Sequence, residues 1–327
     1  MAISYPNLLK VLLAYSALNR ALLLDHPPPI NRINIYLQEV FPAVREVPSS
    51  EESLAITIML ASMEETCGSY QPYQLSQRVH LAGARSLITF FDERRLGDAK
   101  ILAFLGRWFA YIDTITGLMH GRSDRDGQFS ENTDESDLRA PLGHDESRML
   151  KAFNTTEKPD GWIDCLSGLT RRCLLSLAKV RHIVGKAKLA RCEAQEPADM
   201  LSTLSSAAIS LQIELKREDT ADSIPCTHGD IWDSYEMTTI NRAFELAGLV
   251  HLNRELFGLE RSHSEVKIFV NNILRSLHTI RKGRPTEACL LFPLVTAACA
   301  CDIDSRELKE LVVERFISMA RLPTVQV

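Results

Sequence analysis

The chain has 327 residues, of which 45 % are hydrophobic and 24 % are charged, and this balance is typical of a globular protein with a sizeable core. Its formal net charge is -5 at pH 7, which argues against binding nucleic acid through an overall positive field, so we expect no direct nucleic acid contact from this chain. Uncharged apolar runs stay shorter than the roughly 20 residues that a membrane helix needs, so we also expect no membrane span.

The first five predicted helices are separated by breaks in the sequence pattern. The apolar stretch LLKVLLAYSALNRALLL is interrupted by Lys10 and Arg20, and it predicts a core helix rather than a signal peptide. The prolines of DHPPPIN (25–31) end that helix, because consecutive prolines fix φ and remove hydrogen-bond donors. VPSSEES supplies Ser49 or Ser50 as the N-cap of the third helix, with acidic residues in its first turn. CGSYQPY and RRLGDAK mark the next two breaks.

Helical periodicity dominates the rest of the chain. Apolar residues recur every three or four positions, and no alternation with a period of two extends over the length of a strand. The clearest stripes run from Ile101 to Met119, from Leu166 to Val184, from Met237 to His251 and from Leu308 to Met319. The pattern predicts an all-α protein with about ten helices, in one large domain that spans residues 1–327.

One segment, residues 121–148, is polar, rich in acidic residues and nearly free of aliphatic ones. Such a composition cannot bury enough apolar surface to offset the entropy that is lost on ordering. The acidic clusters within it, and the pair His144 and Asp145, are more typical of a solvated loop than of a metal site. We therefore expect a mobile acidic surface loop at 121–148.

Motifs for common chemistries do not occur in the sequence. It contains no GxxxxGK[ST] or GxGxxG phosphate loop, no GxSxG or HExxH motif, and no CxxC pair among its eight cysteines. We therefore predict no catalytic residue, no metal site and no cofactor. The cysteines are expected to be reduced thiols, because most of them fall inside apolar helical patterns.

Polar residues on two predicted helices leave alternatives open. His251 is in line with Met237, Ile240 and Phe244, and it is either a hydrogen-bonded core histidine or a polar contact inside a ligand cavity. Basic residues between positions 171 and 191 form one face of a helix. This face is either solvated or contacts an acidic partner.

The stretch CLLFPLVTAACAC (289–301) carries no charge and predicts a buried central helix. We expect Thr286 to be its N-cap and Glu287 to lie in its first turn. Pro293 would either kink this helix or mark a restart after an irregular first turn. The alanines near its end allow neighbouring helices to approach closely.

Four segments carry motifs that follow one another along nearly the whole chain. The first, LAITIMLASMEETCGSYQPYQLSQRVHLAGARSLITFF (54–91), contains HLxGAR, formed here by His80, Leu81, Gly83, Ala84 and Arg85. The others are FLGRWFAYIDTITGL (104–118), DCLSGLTRRCLLSLAKV (164–180) and CLLFPLVTAACACDIDSRELKELVVERF (289–316). Together they resemble the fungal-specific transcription factor domain, the regulatory domain of fungal Zn2Cys6 regulators.

The resemblance implies an all-α regulatory domain that senses a small apolar effector, sterol-like or a secondary metabolite, or that mediates dimerisation, here as a homodimer. In this family the domain usually follows an N-terminal Zn2Cys6 cluster. The sequence begins with Met1 almost at the first helix, so we expect no DNA-binding module in this chain and a location in the nucleus, the cytoplasm or both. Another departure is Cys299-Ala300-Cys301, where the family often has Gly-Cys-Glu.

An effector pocket in such a domain needs apolar walls and a few polar groups. We predict Trp108, Phe109, Ile112, Phe244, Phe292 and Val295 as its walls and His251 as its polar contact. One alternative is a stand-alone cyclase-like enzyme of secondary metabolism that uses the same cavity, with Asp113, His251 or Tyr111 as acid or hydrogen-bond donor. Another is a truncated interaction partner that blocks a full-length regulator. The regulatory domain is the favoured hypothesis.

Overall fold

The computed structural model describes residues 5–24, 26–47, 50–67, 77–94, 96–120, 162–164, 167–192, 198–217, 224–225, 233–301 and 306–320. Within these ranges the α-helices are α1 (Pro6–Leu23), α2 (Ile30–Glu46), α3 (Glu51–Cys67), α4 (Gln77–Arg94), α5 (Ala99–His120), α6 (Arg171–Cys192), α7 (Ala198–Lys216), α8 (Ser234–His251), α9 (Ser264–Thr279), α10 (Pro285–Ala288), α11 (Leu291–Ala300) and α12 (Arg306–Ala320). The predicted acidic loop at 121–148 lies outside the described residues.

The all-α prediction is confirmed. The strands in the described ranges are two residues long each, β1 (Trp162–Ile163) and β2 (Ile224–Pro225), and they pair in parallel. Twelve α-helices occur there, where the sequence predicted about ten. Part of the difference arises because the predicted central helix divides into α10 and α11.

The described residues form two compact units, one up to Asp113 and one from Thr114 onward. We call them unit 1 and unit 2; the division falls within α5. The organisation into one large domain stays a prediction. Helix α5 is the one described helix that is long and apolar enough to cross a membrane, and 61 % of its apolar window is buried within the protein, as in a core helix.

Unit 1 is centred on α3, which packs against α1 and α4, while α1 also packs against α2. Nearly all residues of α3 from Ser53 to Met63 are buried, because its apolar residues surround the helix instead of forming one stripe. Ser50 caps this helix, since its Oγ accepts a hydrogen bond from the backbone N–H of Ser53 at 3.0 Å. The predicted N-cap and acidic first turn of α3 are therefore confirmed.

The HLxGAR motif of α4 places two basic side chains beside acidic residues of unit 1. His80 Nε2 lies 3.3 Å from Glu64 Oε1 on α3. Arg85 Nη2 donates a hydrogen bond to Asp113 Oδ1 on α5 at 2.8 Å, and the side chains of this pair are 14 % and 9 % exposed. The arginine of the first family-like segment thus binds the aspartate of the second.

Unit 2 is built around α8, which packs against α6, α7, α9 and α11. All residues of α8 from Ala243 to His251 are buried, as expected for a helix surrounded by others. Beyond them the helix widens into a π-helical turn, Leu252–Leu256. The carbonyls of the last two residues of this turn accept hydrogen bonds from the guanidinium of Arg191 at 2.7 and 2.6 Å, so a side chain of α6 satisfies its exposed end.

The charge-free segment 289–301 restarts the helix rather than kinking it. Helix α10 ends at Ala288, and α11 begins at Leu291. Pro293 therefore lies in the first turn of α11. A backbone N–H there has no acceptor within the helix, so a proline, which has no N–H, loses no helical hydrogen bond. Of the two alternatives for this proline, the structure has the restart.

The predicted N-cap at Thr286 is wrong. Arg284 is the N-cap of α10 and Pro285 is its first residue, so Thr286 lies inside the helix. Its hydroxyl donates instead to Glu236 Oε2 on α8 at 2.7 Å. Thr286 therefore ties α10 to α8, and its acidic neighbour Glu287 lies in the first turn as predicted.

A buried ion pair joins α12 to α10. Arg315 Nη1 donates to Glu287 Oε1 at 2.9 Å, and the two side chains are 4 % and 0 % exposed. Arg315 Nη2 also donates to the carbonyls of Leu277 and Ile280 at the end of α9. One guanidinium of α12 therefore connects α10 with the end of α9.

Both carboxylate oxygens of Glu287 are hydrogen-bonded. Glu287 Oε2 accepts hydrogen bonds from the backbone N–H of Gly283 at 2.8 Å and from Ser318 Oγ at 2.9 Å. A buried ion pair is tolerated only when such additional bonds replace the lost hydration of both ions. The arrangement of α9, α10 and α12 thus depends on matching this pair.

We expect Arg315→Met to lower the free energy of unfolding by about 3–5 kcal/mol, because it leaves the buried carboxylate of Glu287 without a cation. Arg306→Met, on the same helix, is the matched control. The Arg306 side chain is 91 % exposed, so its loss should change stability by less than about 0.5 kcal/mol. Urea denaturation measures both, and equal losses in the two variants would contradict the account.

Candidate functional site

Three of the predicted pocket residues meet in the core of unit 2. The rings of Phe244 and Phe292 stack with centroids 5.5 Å apart, and the His251 ring stacks on Phe292 at 5.6 Å with an interplanar angle of 3°. His251 Nε2 lies 3.3 Å from Thr296 Oγ1. All three rings are at most 2 % exposed, so they form a packed column that joins α8 to α11.

The other predicted pocket residues lie elsewhere. Val295 is half-buried on α11. Trp108, Phe109 and Ile112 belong to the apolar core of unit 1, where the Trp108 ring is 6.1 Å from that of Phe104. The seven residues are thus divided between the two units, and the pocket that they were predicted to form stays a prediction.

The connection between α9 and α10 is bound by a buried carboxylate of α8. Glu236 Oε1 accepts hydrogen bonds from the backbone N–H of Arg281 at 3.1 Å and from its Nε at 2.8 Å, and Arg281 Nη2 also donates to Asp233. Burial alone would raise the pKa of the Glu236 carboxyl, but the bonds from Arg281 and Thr286 outweigh it and hold that pKa below its ordinary value. Lys282 pairs with Glu314, so two basic residues of RKGRP (281–285) serve the fold.

A second buried carboxylate of α8 binds the start of α6. Glu245, 3 % exposed, accepts from Arg172 Nη2 at 3.2 Å and from Arg242 Nη1 at 2.8 Å. Burial raises the pKa of the Glu245 carboxyl above its ordinary value, and the two guanidinium groups oppose that shift. Arg172 therefore neutralises an internal charge rather than presenting one to solvent.

Other basic residues of α6 also have partners within unit 2. Lys179 pairs with Glu214 at 3.7 Å, and Lys188 pairs with Glu255 at 3.2 Å. Together with the carbonyl bonds of Arg191, these contacts account for much of the basic face that the sequence predicts on this helix. Of the two alternatives for this face, the contacts favour an ordinary solvated helix face over a face that binds an acidic partner.

Two cysteine thiols of unit 2 are held in their unreactive form. Burial raises the pKa of the Cys289 thiol to about 12, and the nearby carboxyl of Asp164 adds to the shift. Burial also raises the pKa of the Cys173 thiol well above its ordinary value. Since the thiolate is the nucleophile, neither side chain is suited to covalent catalysis at neutral pH. In the described part of the chain, no group of three or more His, Cys, Asp or Glu side chains is arranged to hold a metal ion.

One cleft of unit 1 has a volume within the range of small-molecule sites. Its volume is about 500 Å³, and ligand pockets occupy about 300–1,000 Å³. It lies between the start of α1, the end of α2, the start of α3 and the connection from α4 to α5. Its apolar walls come from Tyr5, Ala43, Val44, Ile56, Phe91 and Leu96. We call it the acidic cleft, for the residues that complete its lining.

Three glutamates line the acidic cleft: Glu46 at the end of α2, and Glu51 and Glu52 in the first turn of α3. Glu51 Oε1 accepts a hydrogen bond from the backbone N–H of Asp98, and Glu52 Oε1 accepts one from that of Leu8 at 3.3 Å. These bonds fix both carboxylates in place. Among the described residues, no lysine, arginine or histidine lines the cleft or forms an ion pair with any of the three glutamates.

Gly97 allows the carboxylate of Glu51 to approach the backbone closely enough to accept a hydrogen bond from the N–H of Asp98. Its φ is +91°, in the left-handed region that favours glycine. A Cβ at this position would lie 2.7 Å from Glu51 Oε1 and 2.9 Å from Leu102 Cδ1. The absence of a side chain at Gly97 therefore leaves space for the Glu51 carboxylate, which accepts a hydrogen bond from the N–H of Asp98.

None of the seven predicted pocket residues lines the acidic cleft. Sequence reasoning identified the acids after VPSS as a helix-start signal, but not as part of a site. Part of the information was present in the sequence, because acidic residues in the first turn of α3 and aromatic residues in neighbouring segments can both be read from it. Nothing in their spacing shows that Tyr5, Glu52 and Leu96 share one cavity.

A family model described as a fungal specific transcription factor domain matches residues 1–327. No curated protein and no solved structure matches the chain.

The lowered pKa of Glu236 has a definite consequence for stability. Its contribution is present above the ordinary glutamate value of 4.5 and is lost as the pH falls through the lower value of the folded protein. We expect Glu236→Gln to lower the free energy of unfolding at pH 7 by about 1–3 kcal/mol, with the deficit shrinking below pH 4.5.

Urea titrations of wild type and Glu236→Gln at a series of pH values measure this deficit. Glu310→Gln is the control, because the Glu310 side chain is 64 % exposed and its removal should leave the pH profile unchanged. A deficit that is the same at neutral and acidic pH would contradict the assignment.

Proposed function

The chain belongs to the family of fungal-specific transcription factor domains, since the family match spans all of it, and we propose that it regulates transcription by binding a small effector in the acidic cleft of unit 1. Membership of this family supports a regulatory role. The binding of an effector in the acidic cleft goes beyond what family membership supports. The single observation that carries the proposal is the cleft itself, with its volume of about 500 Å³ and its mixed lining.

The position of the acidic cleft suits a sensor. Its lining comes from four consecutive parts of unit 1, between Tyr5 on the N-terminal side and Gly97 on the C-terminal side. A ligand in the cleft would contact α1, α2 and α3 at once, as well as the connection before α5. Such a ligand would favour the conformation in which these parts are correctly spaced, and regulation follows if another conformation binds it less tightly.

The finer predictions belong to this proposal and not to the family assignment. They are a sterol-like or secondary-metabolite effector and a location in the nucleus, the cytoplasm or both. The alternative binding site is the packed column of Phe244, His251 and Phe292. These side chains would have to move apart before an effector could bind there. The homodimer, the cyclase-like enzyme and the truncated interaction partner stay predictions; the acid suggested for such an enzyme, Asp113, is bound to Arg85.

We expect Ala43→Phe to abolish effector binding, because the new ring fills the apolar wall of the cleft contributed by α2. Gln38→Phe is the matched control: it adds the same ring at an exposed position of the same helix, outside the cleft lining. The measurement is the melting temperature of each protein against a panel of sterols, fatty alcohols and hydrophobic amines.

A ligand at a hundred times its dissociation constant stabilises the folded state by about 2.7 kcal/mol. Wild type and Gln38→Phe should both show the corresponding rise in melting temperature, and Ala43→Phe should not. If no compound raises the melting temperature of the wild type, or if Ala43→Phe responds as the wild type does, the proposed site is wrong.

A further inference from the structure

The lining of the acidic cleft divides into two chemical kinds. One is an apolar and partly aromatic wall, in which Ile56 and Phe91 are buried in the core of unit 1 and Tyr5 packs against that core. The other is a set of carboxylates, Glu46, Glu51 and Glu52. A ligand that fills this cleft must therefore present a hydrocarbon surface to the first kind and satisfy the charge of the second.

The cleft carboxylates differ from four buried acids elsewhere in the protein. Glu287, Glu236 and Glu245 in unit 2 each bind an arginine, and Asp113 in unit 1 binds Arg85. In the acidic cleft, by contrast, no described basic residue takes that place. Among the described residues, no cation balances the negative charge of the cleft, and a positively charged ligand would supply one.

Two of these carboxylates are oriented by the backbone so that one oxygen of each can accept a hydrogen bond from a ligand. Glu51 and Glu52 use Oε1 to accept a backbone N–H, and among described groups no hydrogen bond is made to the Oε2 of either. Each residue is thus oriented by one oxygen while the second keeps its acceptor capacity. Both residues are half-buried, so a contact made there is screened less than one at the open surface.

We propose that the acidic cleft selects a cationic amphiphile, a small molecule in which an ammonium group is attached to a hydrocarbon or ring body. This rests on the proposed effector function and names the chemical class of the effector. The ammonium group donates to the free oxygens of Glu51 and Glu52, and the aromatic side chains of Tyr5 and Phe91 add surfaces that attract cations. The body of the ligand packs on Val44, Ile56 and Leu96.

The same lining discriminates against other amphiphiles of equal size. A neutral alcohol would remove water from the carboxylates without supplying a positive charge in return. A carboxylate would be repelled by all three glutamates. The predicted order of affinity is therefore ammonium, then alcohol, then carboxylate, for one and the same hydrocarbon body.

The test is a calorimetric titration of the purified chain with adamantylamine, adamantanol and adamantanecarboxylate, which share one rigid body that fits the cleft. Adamantylamine should bind at least about tenfold more tightly than the alcohol, as expected for hydrogen bonds to a charged group. The carboxylate should show no binding. In Glu51→Gln/Glu52→Gln the preference for the ammonium should disappear, whereas the alcohol should bind at least as well as before.

Glutamine is the substitution of choice because its amide oxygen still accepts the N–H groups of Asp98 and Leu8, so the fold is retained while the charge is removed. Glu39→Gln is the control. It removes one charge from α2 outside the cleft lining, where Glu39 is 54 % exposed and paired with Lys10. This variant should keep the full preference for adamantylamine.

The possible outcomes separate the two proposals. Equal binding of amine and alcohol, abolished for both by Ala43→Phe, would overturn the cationic selectivity and leave the effector site standing. A preference for the amine that persists in Glu51→Gln/Glu52→Gln would also overturn it. No binding of any of the three compounds overturns the inference, and the proposed function is then decided by the sterols and fatty alcohols of the melting-temperature panel.

Discussion

A charge that is taken out of water needs a partner, and this constraint organises the enclosed parts of the structure. In unit 2 it is met by Arg315 and Glu287, which are almost wholly buried and make five hydrogen bonds with each other and with their surroundings. That pair connects α12 with α10 and with the end of α9. The carboxylates of α8 extend the same principle to α6 and to the connection before α10.

In unit 1, Arg85 meets this constraint for the buried carboxylate of Asp113. The HLxGAR motif supplies His80 and Arg85 to the acids Glu64 and Asp113. The acidic cleft collects three glutamates without a described basic neighbour. Real proteins tend to break a local rule where function requires it. The departure is the physical basis for assigning an effector, and a positively charged one, to this cleft.

Much of the fold follows from local sequence features, whereas the site does not. Periodicity predicted the helices, and the acidic first turn of α3 and the capping by Ser50 were correct because caps depend on a few adjacent residues. Thr286 was assigned wrongly because Pro285 already occupies the first helical position and a distant carboxylate, Glu236, claims its hydroxyl. The pairing of Glu287 with Arg315 and the gathering of the cleft residues depend on tertiary packing between segments far apart in sequence, which no spacing pattern encodes. The π-helical turn likewise depends on Arg191 of another helix.

The proposed ligand of this regulatory domain occupies the acidic cleft. Hydrogen exchange of the backbone amides, measured with and without saturating adamantylamine, tests it most directly, because protection reports the segments that a ligand stabilises. A ligand in the acidic cleft should slow exchange at the end of α2, in the first turn of α3 and at Gly97 and Asp98. Slower exchange confined to α8 and α11, around His251 and Thr296, with the cleft segments unchanged, would contradict it.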